Sequence, residues 1–440
     1  GNAYASVDTN WSRLDTPDDV SAYIECAKKN IDAFVERLRP LAEQKTVLIL
    51  SMIEPRKNYL GILINPYAWN SPLYLVRAFN EKLYNAAEKV KGIYVIDINE
   101  IFSSTGRMHV QDDAIACMSH ASYFPLGGSA FPSERIQGLM KARDLFDVEK
   151  GRSDTIGAVQ ARISDALEVV EQKEPIKLII TDLDDTLWNG IGGEDDKPDY
   201  EYTEDWPLGY MEALLIYKKR GGLLAICSKN DHETIERIFP RRVANNLSLD
   251  DFVSVKINYK PKSENIKEIL SEVNILPENV LFIDDNPREI EEVKLFFPKM
   301  RTLSTQYLGW RNNIISSPYT QVPVITREST QRTNNIKAKI ARDAEQEHLS
   351  HNEWLAGLGI NCRVCTIESV EDSQFTRAFE LVNKTNQFNT TGKRWSLSEI
   401  QKMFSEGTKL IVISVKDKHA DNGLVGVAIL KGDTIYQTVL

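Results

Sequence analysis

The stretch KLIITDLDDTLW, Lys177 to Trp188, limits the possible folds more than any other part of this chain. An apolar run, Leu178 to Ile180, ends in three aspartates within four positions, Asp182, Asp184 and Asp185, and Thr186 follows. An apolar run after the charged segment EQKEP predicts a buried strand of a parallel sheet. Such sheets carry their chemistry at the carboxyl ends of the strands. Side chains at i and i+2 of an extended segment share a face, so Asp182 and Asp184 are expected to point the same way. Two adjacent carboxylates repel unless something positive lies between them, and a hard divalent cation with oxygen ligands meets that need. The plainer alternative is a strand followed by an acidic turn.

Three more strand ends bear on the choice. Leu223 to Ser228, LLAICS, reads as a second apolar strand that stops at a hydroxyl. KNDHETIERI then opens a helix, with Asn230 or Asp231 as its N-cap. NYKPKSENIKEIL puts Lys262 at the start of another helix. VLFIDDNPREIEEV runs from strand through Asp284 and Asp285 into a helix with Pro287 in its first turn. Acid pair, hydroxyl, lysine and second acid pair, in this order, resemble the four motifs of the haloacid dehalogenase superfamily of phosphoryl-transfer enzymes. The resemblance implies a role for each residue. Asp182 would attack the phosphoryl group and form an aspartyl phosphate. Asp184 would be general acid for the leaving group, then base for the incoming one. Thr186, Ser228 and Lys262 would bind the phosphate. Mg2+ would be held by Asp182, by Asp184 through its backbone carbonyl, and by Asp284, with Asp285 behind them.

Composition narrows the classes. A chain of 440 residues suggests about three domains, and 42% hydrophobic content suits globular cores. A net charge of −10 disfavours nucleic acid as partner. No apolar run approaches the ~20 residues of a membrane span, so no membrane insertion is expected. Gly1 to Asn10, small and polar, does not read as a signal peptide. Five cysteines, an odd number, suggest reduced thiols and a cytoplasmic setting. Cys362 and Cys365 form a CxxC, but INCRVCTIE reads as a strand that sends the two thiols to opposite faces.

Residues 1–150 alternate strand and helix, VLILSMI, LVRAFNEKLYNAAEKV and YVIDINEIF, as in an α/β domain. Their later part resembles SGNH-hydrolase-like domains, although no Gly-Asp-Ser block is present and His120 has no Asp three residues before it. Residues 151–175 read as a helical linker. Residues 176–327 form the expected doubly wound, Rossmann-like catalytic domain. Its first two motifs are separated by an acidic run, Glu194 to Asp205, and one helix, too little for a folded cap. An open site of this kind suits a large or protein-borne substrate. Residues 328–440 read as helices followed by an antiparallel meander with turns at Asp421-Asn422-Gly423 and Gly432-Asp433, an α+β unit.

DLDDTLWNGIGGED, ICSKND, NYKPKSENI, FIDDNPREIEEV and LVNKTNQFNTTGKRW are together similar to the FkbH-like proteins. The similarity runs from about Ile176 to Leu440, and its most specific segment is Thr385 to Asn389. Such proteins join an SGNH-like region, a haloacid dehalogenase domain and a GNAT-like acyltransferase region. Both outer regions are expected to be incomplete in this chain. The resemblance implies removal of phosphate from 1,3-bisphosphoglycerate-derived glyceryl phosphate. The glyceryl unit would then be loaded onto an acyl carrier protein, in polyketide or surface-polysaccharide biosynthesis. Cys227 could carry the acyl group as a thioester, although strand alternation turns it away from Ser228. The alternatives are an Mg2+-dependent phosphatase for another substrate and a non-catalytic scaffold. An acidic carrier would need a local basic patch; Arg327, Arg332, Lys337, Lys339 and Arg342, with Lys384, Lys393 and Arg394, are the expected one.

Overall fold

The computed structural model describes residues 16–56, 58, 60–107, 111, 154–193, 206, 209–244, 246–325, 327–346, 351–384 and 388–440. His120, the acidic run 194–205 and residues 385–387 lie outside them. The chain divides into two compact units, Gly1–Glu171 and Gln172–Leu440. Among the described residues no helix is long and apolar enough to cross a membrane.

The first described element of the first unit is α1, Pro17–Ala42, which the sequence reading did not anticipate. Its start is well signalled. Thr16 Oγ1 accepts from the Asp19 N–H at 3.2 Å, and Asp19 accepts from the Thr16 N–H at 3.2 Å, a reciprocal cap with Pro17 in the first turn. Val20, Ile24, Ala27, Ile31 and Val35 recur at helical spacing and are buried. They share a core with Leu75, Phe79 and Leu83 of α2, Pro72–Ala87. β1, Val47–Leu50, and β2, Ile93–Ile96, pair in parallel, with Val47 opposite Ile93. α3, Ile98–Thr105, and α4, Asp154–Glu171, complete the described part.

The second unit holds a five-stranded, all-parallel sheet in the order β5-β4-β3-β6-β7. The strands are β3, Leu178–Thr181; β4, Leu223–Ser228; β5, Ser254–Ile257; β6, Val280–Ile283; and β7, Arg301–Leu303. The expected α/β architecture with a central parallel sheet is therefore present. Alternation distributes each strand between two cores. Leu178, Ile180, Cys227 and Phe282 face one, and Ile179, Ile226 and Ile283 face the other. The helices are α5, Tyr210–Lys219; α6, His232–Arg242; α7, Lys262–Val273; α8, Pro287–Phe296; and α9, Trp310–Ser316. From central β3 the chain goes to β4 on one side and later to β6 on the other. This strand-order reversal opens a crevice at the carboxyl ends.

Helix α10, Arg327–Gln346, packs Ile336 and Ile340 against the first of these cores. The basic patch expected here is committed internally. Arg332 donates to the Gly221 carbonyl at 3.0 Å, Lys337 to the Asp250 side chain at 3.2 Å, and Arg342 pairs with Asp417 at 2.8 Å. Lys393 lies over the Trp395 ring at 3.6 Å, and Arg394 donates to the Val382 carbonyl at 3.2 Å. The side chains of Arg327 and Lys384 lie outside the described residues. Only Lys339 of the described group is exposed without a partner.

The chain continues through α11, His351–Gly357; β8, Asn361–Ile367; α12, Phe375–Lys384; α13, Leu397–Ser405; β9, Thr408–Lys416; β10, Asp421–Lys431; and β11, Thr434–Val439. The four strands form an antiparallel sheet in the order β11-β10-β9-β8, so β8 joins the three-stranded meander read from the sequence. One expected turn is displaced. Asp417 to Ala420 makes the β9–β10 connection, because the Asp417 carboxylate accepts from the N–H groups of His419 at 2.8 Å and Ala420 at 3.0 Å. Asp421-Asn422-Gly423 instead starts β10 where the strand register slips, with Gly423 at φ 61°.

Candidate active site

Three strand ends and one helix start bring the expected residues together. Asp182 follows β3, Ser228 ends β4, Lys262 opens α7 and Asp284 follows β6. Lys262 is buried, and its Nζ pairs with Asp182 Oδ2 at 3.0 Å and Asp284 Oδ2 at 2.5 Å. Burial alone would lower the lysine pKa; the Asp182 and Asp284 carboxylates outweigh it and hold the pKa above its usual value. Burial, then the Asp182 charge, pushes the Asp284 carboxyl up to about 7 against the pull of Lys262. Burial and Asp182 raise Asp285 as well.

One oxygen from each of Asp182, Asp284 and Asp285 lies within 4.8 Å of the others. Asp182 Oδ1 is buried and has no hydrogen-bond partner among the described residues. Three carboxylates against one lysine leave an excess of negative charge in a desolvated place. The orphaned oxygen and the all-oxygen donor set fit a hard divalent cation such as Mg2+. The cluster differs from the sequence expectation in one respect: Asp285, expected behind the ligands, contributes an oxygen to it.

Asp184 is turned to other work. Its Oδ1 accepts from the Gly192 N–H at 2.8 Å and from Trp188 Nε1 at 3.0 Å, and its Oδ2 from Asn230 Nδ2 at 2.9 Å. Any metal contact from Asp184 thus falls to its main chain. The strand alternation argued for Asp182 and Asp184 does not extend this far, because β3 ends at Thr181. The loop then reverses at Asp185, with φ 46°, whose Oδ1 accepts from the Gly190 N–H at 2.8 Å. Burial raises the Asp184 pKa, opposed by Asn230 and Gly192.

Thr186 is also corrected. It is fully buried; its hydroxyl donates to Asp285 Oδ1 at 3.3 Å and accepts from the Asp285 N–H at 3.1 Å. It clamps the loop after β6 and is not placed to bind phosphate. Cys227 is fully buried on the opposite face of β4 from Ser228, and burial pushes its thiol pKa up. A protonated thiol inside a core is neither reachable nor nucleophilic, so Cys227 is not an acyl carrier.

Sequence reasoning did not assign Asn230, Trp188 and Gly192 to the site. Asn230 and Asp231 are both good N-cap residues. Asp231 takes that position and accepts from the Thr234 N–H at 2.9 Å, which releases Asn230 for Asp184.

In comparisons with known proteins, residues 201–294 match the family model described as haloacid dehalogenase-like hydrolase. No curated protein matches. Among solved structures, one similar chain is an N-terminal part of a Bacteroides fragilis protein, containing a phosphatase domain complexed with Mg. It is 21% identical, with a TM-score of 0.45, over 68% of this chain and 73% of that one. Another is a predicted HAD-like family hydrolase from Porphyromonas gingivalis, 17% identical, with a TM-score of 0.24, over 29% of this chain and 90% of that one. The matched stretch spans Ser228, Lys262, Asp284 and Asp285, and with it the chain carries a haloacid dehalogenase-like hydrolase domain.

Proposed function

We propose that the second unit is a phosphatase-type hydrolase that transfers a phosphoryl group to Asp182. The observation that carries this reading is Asp182 Oδ1, a buried carboxylate oxygen beside Lys262, Asp284 and Asp285 with no hydrogen-bond partner among the described residues. An unpaired buried oxygen is costly, and such costs concentrate at sites that a ligand completes.

Asp182 attacks phosphorus, and the bond from phosphorus to the leaving oxygen breaks as Asp184 gives that oxygen a proton. Asp184 then takes a proton from the water that cleaves the aspartyl phosphate and releases orthophosphate. Ser228 and Lys262 hold phosphate oxygens. Asp182, Asp284, Asp285 and the Asp184 carbonyl would hold Mg2+, which would screen the carboxylates from the anionic substrate and draw charge from the phosphoryl oxygens.

The finer reading rests on the similarity to FkbH-like proteins. The substrate is then the glyceryl phosphate derived from 1,3-bisphosphoglycerate. The thiol of an acyl carrier protein loses its proton and attacks the C1 carbonyl. The C1–oxygen bond to the acyl phosphate breaks to release orthophosphate and leave a thioester, and Asp182 takes the phosphoryl group from the C3 oxygen. The alternative is phosphate release from a different substrate, without transfer. One experiment separates them. The full chain is incubated with Mg2+, 1,3-bisphosphoglycerate and a carrier bearing its pantetheine thiol; phosphate is assayed and the carrier is weighed by intact mass. A carrier heavier by one glyceryl unit supports transfer. Phosphate release with an unchanged carrier leaves the plain phosphatase, and no release from any phosphate ester refutes both.

A further inference from the structure

Asn230 links two parts of the site that the proposed reaction uses at different moments. Its side-chain nitrogen has two hydrogens to give, and both are spent. One goes to Asp184 Oδ2 at 2.9 Å and the other to Ser228 Oγ at 3.1 Å. With Asp184 ionised the amide is held this way round, because its oxygen would otherwise face a carboxylate that only accepts. Asn230 is itself buried, at 7% exposure, so bulk water does not compete for these bonds.

The consequence for Ser228 is directional. Its oxygen accepts the Asn230 N–H, so its own proton must point elsewhere. Ser228 is 1% exposed, and no described residue accepts that proton. A buried hydroxyl with an uncommitted proton is a donor waiting for an acceptor, and a phosphate oxygen is one. The consequence for Asp184 is a fixed rotamer. Trp188 and Gly192 hold one oxygen and Asn230 the other. Gly192 can come this close because it lacks a Cβ, which would stand 2.7 Å from Ile235 Cδ1 and 3.3 Å from Asp184 Oδ1.

We propose that Asn230 is a positioning residue that sets, through one amide, the donor direction of Ser228 and the rotamer of Asp184. Phosphate binding and proton delivery to the leaving group are thereby coupled. The proposal rests on the phosphatase reading above, and its test separates the two.

The full chain with Mg2+ is assayed on aryl phosphates whose leaving phenols range from acidic to weakly acidic. The parent is compared with Asn230→Ala, Ser228→Ala, the double variant, and Asn230→Asp, which keeps the shape but loses both donated bonds. Loss of proton delivery should hurt poor leaving groups most. For Asn230→Ala the expected fall in kcat is about 100-fold with the least acidic phenol and about tenfold or less with nitrophenol. KM should rise, and adding Asn230→Ala to Ser228→Ala should raise KM little further. Asn230→Asp should steepen the leaving-group dependence in the same direction.

An equal loss of kcat across the series, an unchanged KM, or additive KM effects would overturn the proposal while leaving the phosphatase reading intact. So would unfolding of both Asn230 variants, read by thermal melting, since the amide would then be structural. If the parent releases phosphate from none of these esters, the phosphatase reading itself falls and the proposal falls with it.

Discussion

The two units end their central parallel strands in opposite ways. In the first, Ser51 follows β1 and Asp97 follows β2, and they spend their polar atoms on each other and on the backbone. Ser51 Oγ donates to Asp97 Oδ1 at 3.0 Å and accepts from the Ile98 N–H at 3.1 Å; Asp97 Oδ1 also accepts from the Asn99 N–H at 2.8 Å. Asn99 Oδ1 accepts from the Glu54 N–H at 2.8 Å. In the second unit the equivalent strand ends leave Asp182 Oδ1 without a partner among the described residues and crowd Asp182, Asp284 and Asp285. A serine and an acid at strand ends are therefore not enough to mark a site. Polar groups that satisfy one another hold a loop; polar groups left short of partners await a ligand.

The sharpest way to break this contrast is Asp182→Asn, which keeps the side-chain shape and removes the nucleophile. Phosphate release should fall by about 10³–10⁶-fold with an unchanged melting curve. Activity within tenfold of the parent would mean that the orphaned oxygen is not the attacking one.

The next effect concerns the cation. Chelation should stop turnover, and Asp285→Asn should weaken Mg2+ binding, read by titration calorimetry, by more than the about 10–100-fold that loss of a group behind the ligands costs. A loss within or below that range would return Asp285 to a supporting position behind the ligands.

Arg342→Glu tests whether this arginine serves structure or docking. Arg342 pairs with Asp417 at 2.8 Å, with side-chain exposures of 19% and 6%, so reversal puts two like charges together in a poorly hydrated place. The expected cost is about 1–3 kcal/mol of stability, read by denaturant unfolding. At the half-buried Lys337, Lys337→Glu should cost no more than about 1 kcal/mol, because its partner Asp250 is almost fully in solvent. A loss of carrier association by Arg342→Glu without any loss of stability would support a docking surface there.

The smallest effect should come from Ser51→Ala. Removing its hydroxyl should lower stability by about 1 kcal/mol and leave phosphate release unchanged. A measurable fall in turnover would mean that the first unit's strand ends are not merely structural.

These cases show which features the sequence discloses. The parallel sheet and its carboxyl-end motifs were legible because each is local. Apolar runs such as LIIT and VLFI form strands and break at Asp, Ser or a capped helix start. Their order along the chain, fixed by sheet topology, then supplies the site. What pairwise geometry decides was not legible. Asn230 and Asp231 are interchangeable as caps on paper, and only the folded structure shows Asp231 as the cap and Asn230 donating to Asp184. The arginines of α10 look available in sequence, yet Arg332 and Arg342 find acceptors at Gly221 and Asp417, far away in the chain.

The sequence by itself therefore determined the sheet, its motif order and the residue types of the site, because these follow from hydrophobic period and local backbone preference. Tertiary structure alone decided which carboxylates face one another, that Thr186 clamps Asp285, and that Cys227 lies in a core. Those outcomes depend on distances of a few ångströms between segments remote in sequence. Hydrogen bonding and desolvation are decided at that range, and spacing along the chain does not encode them.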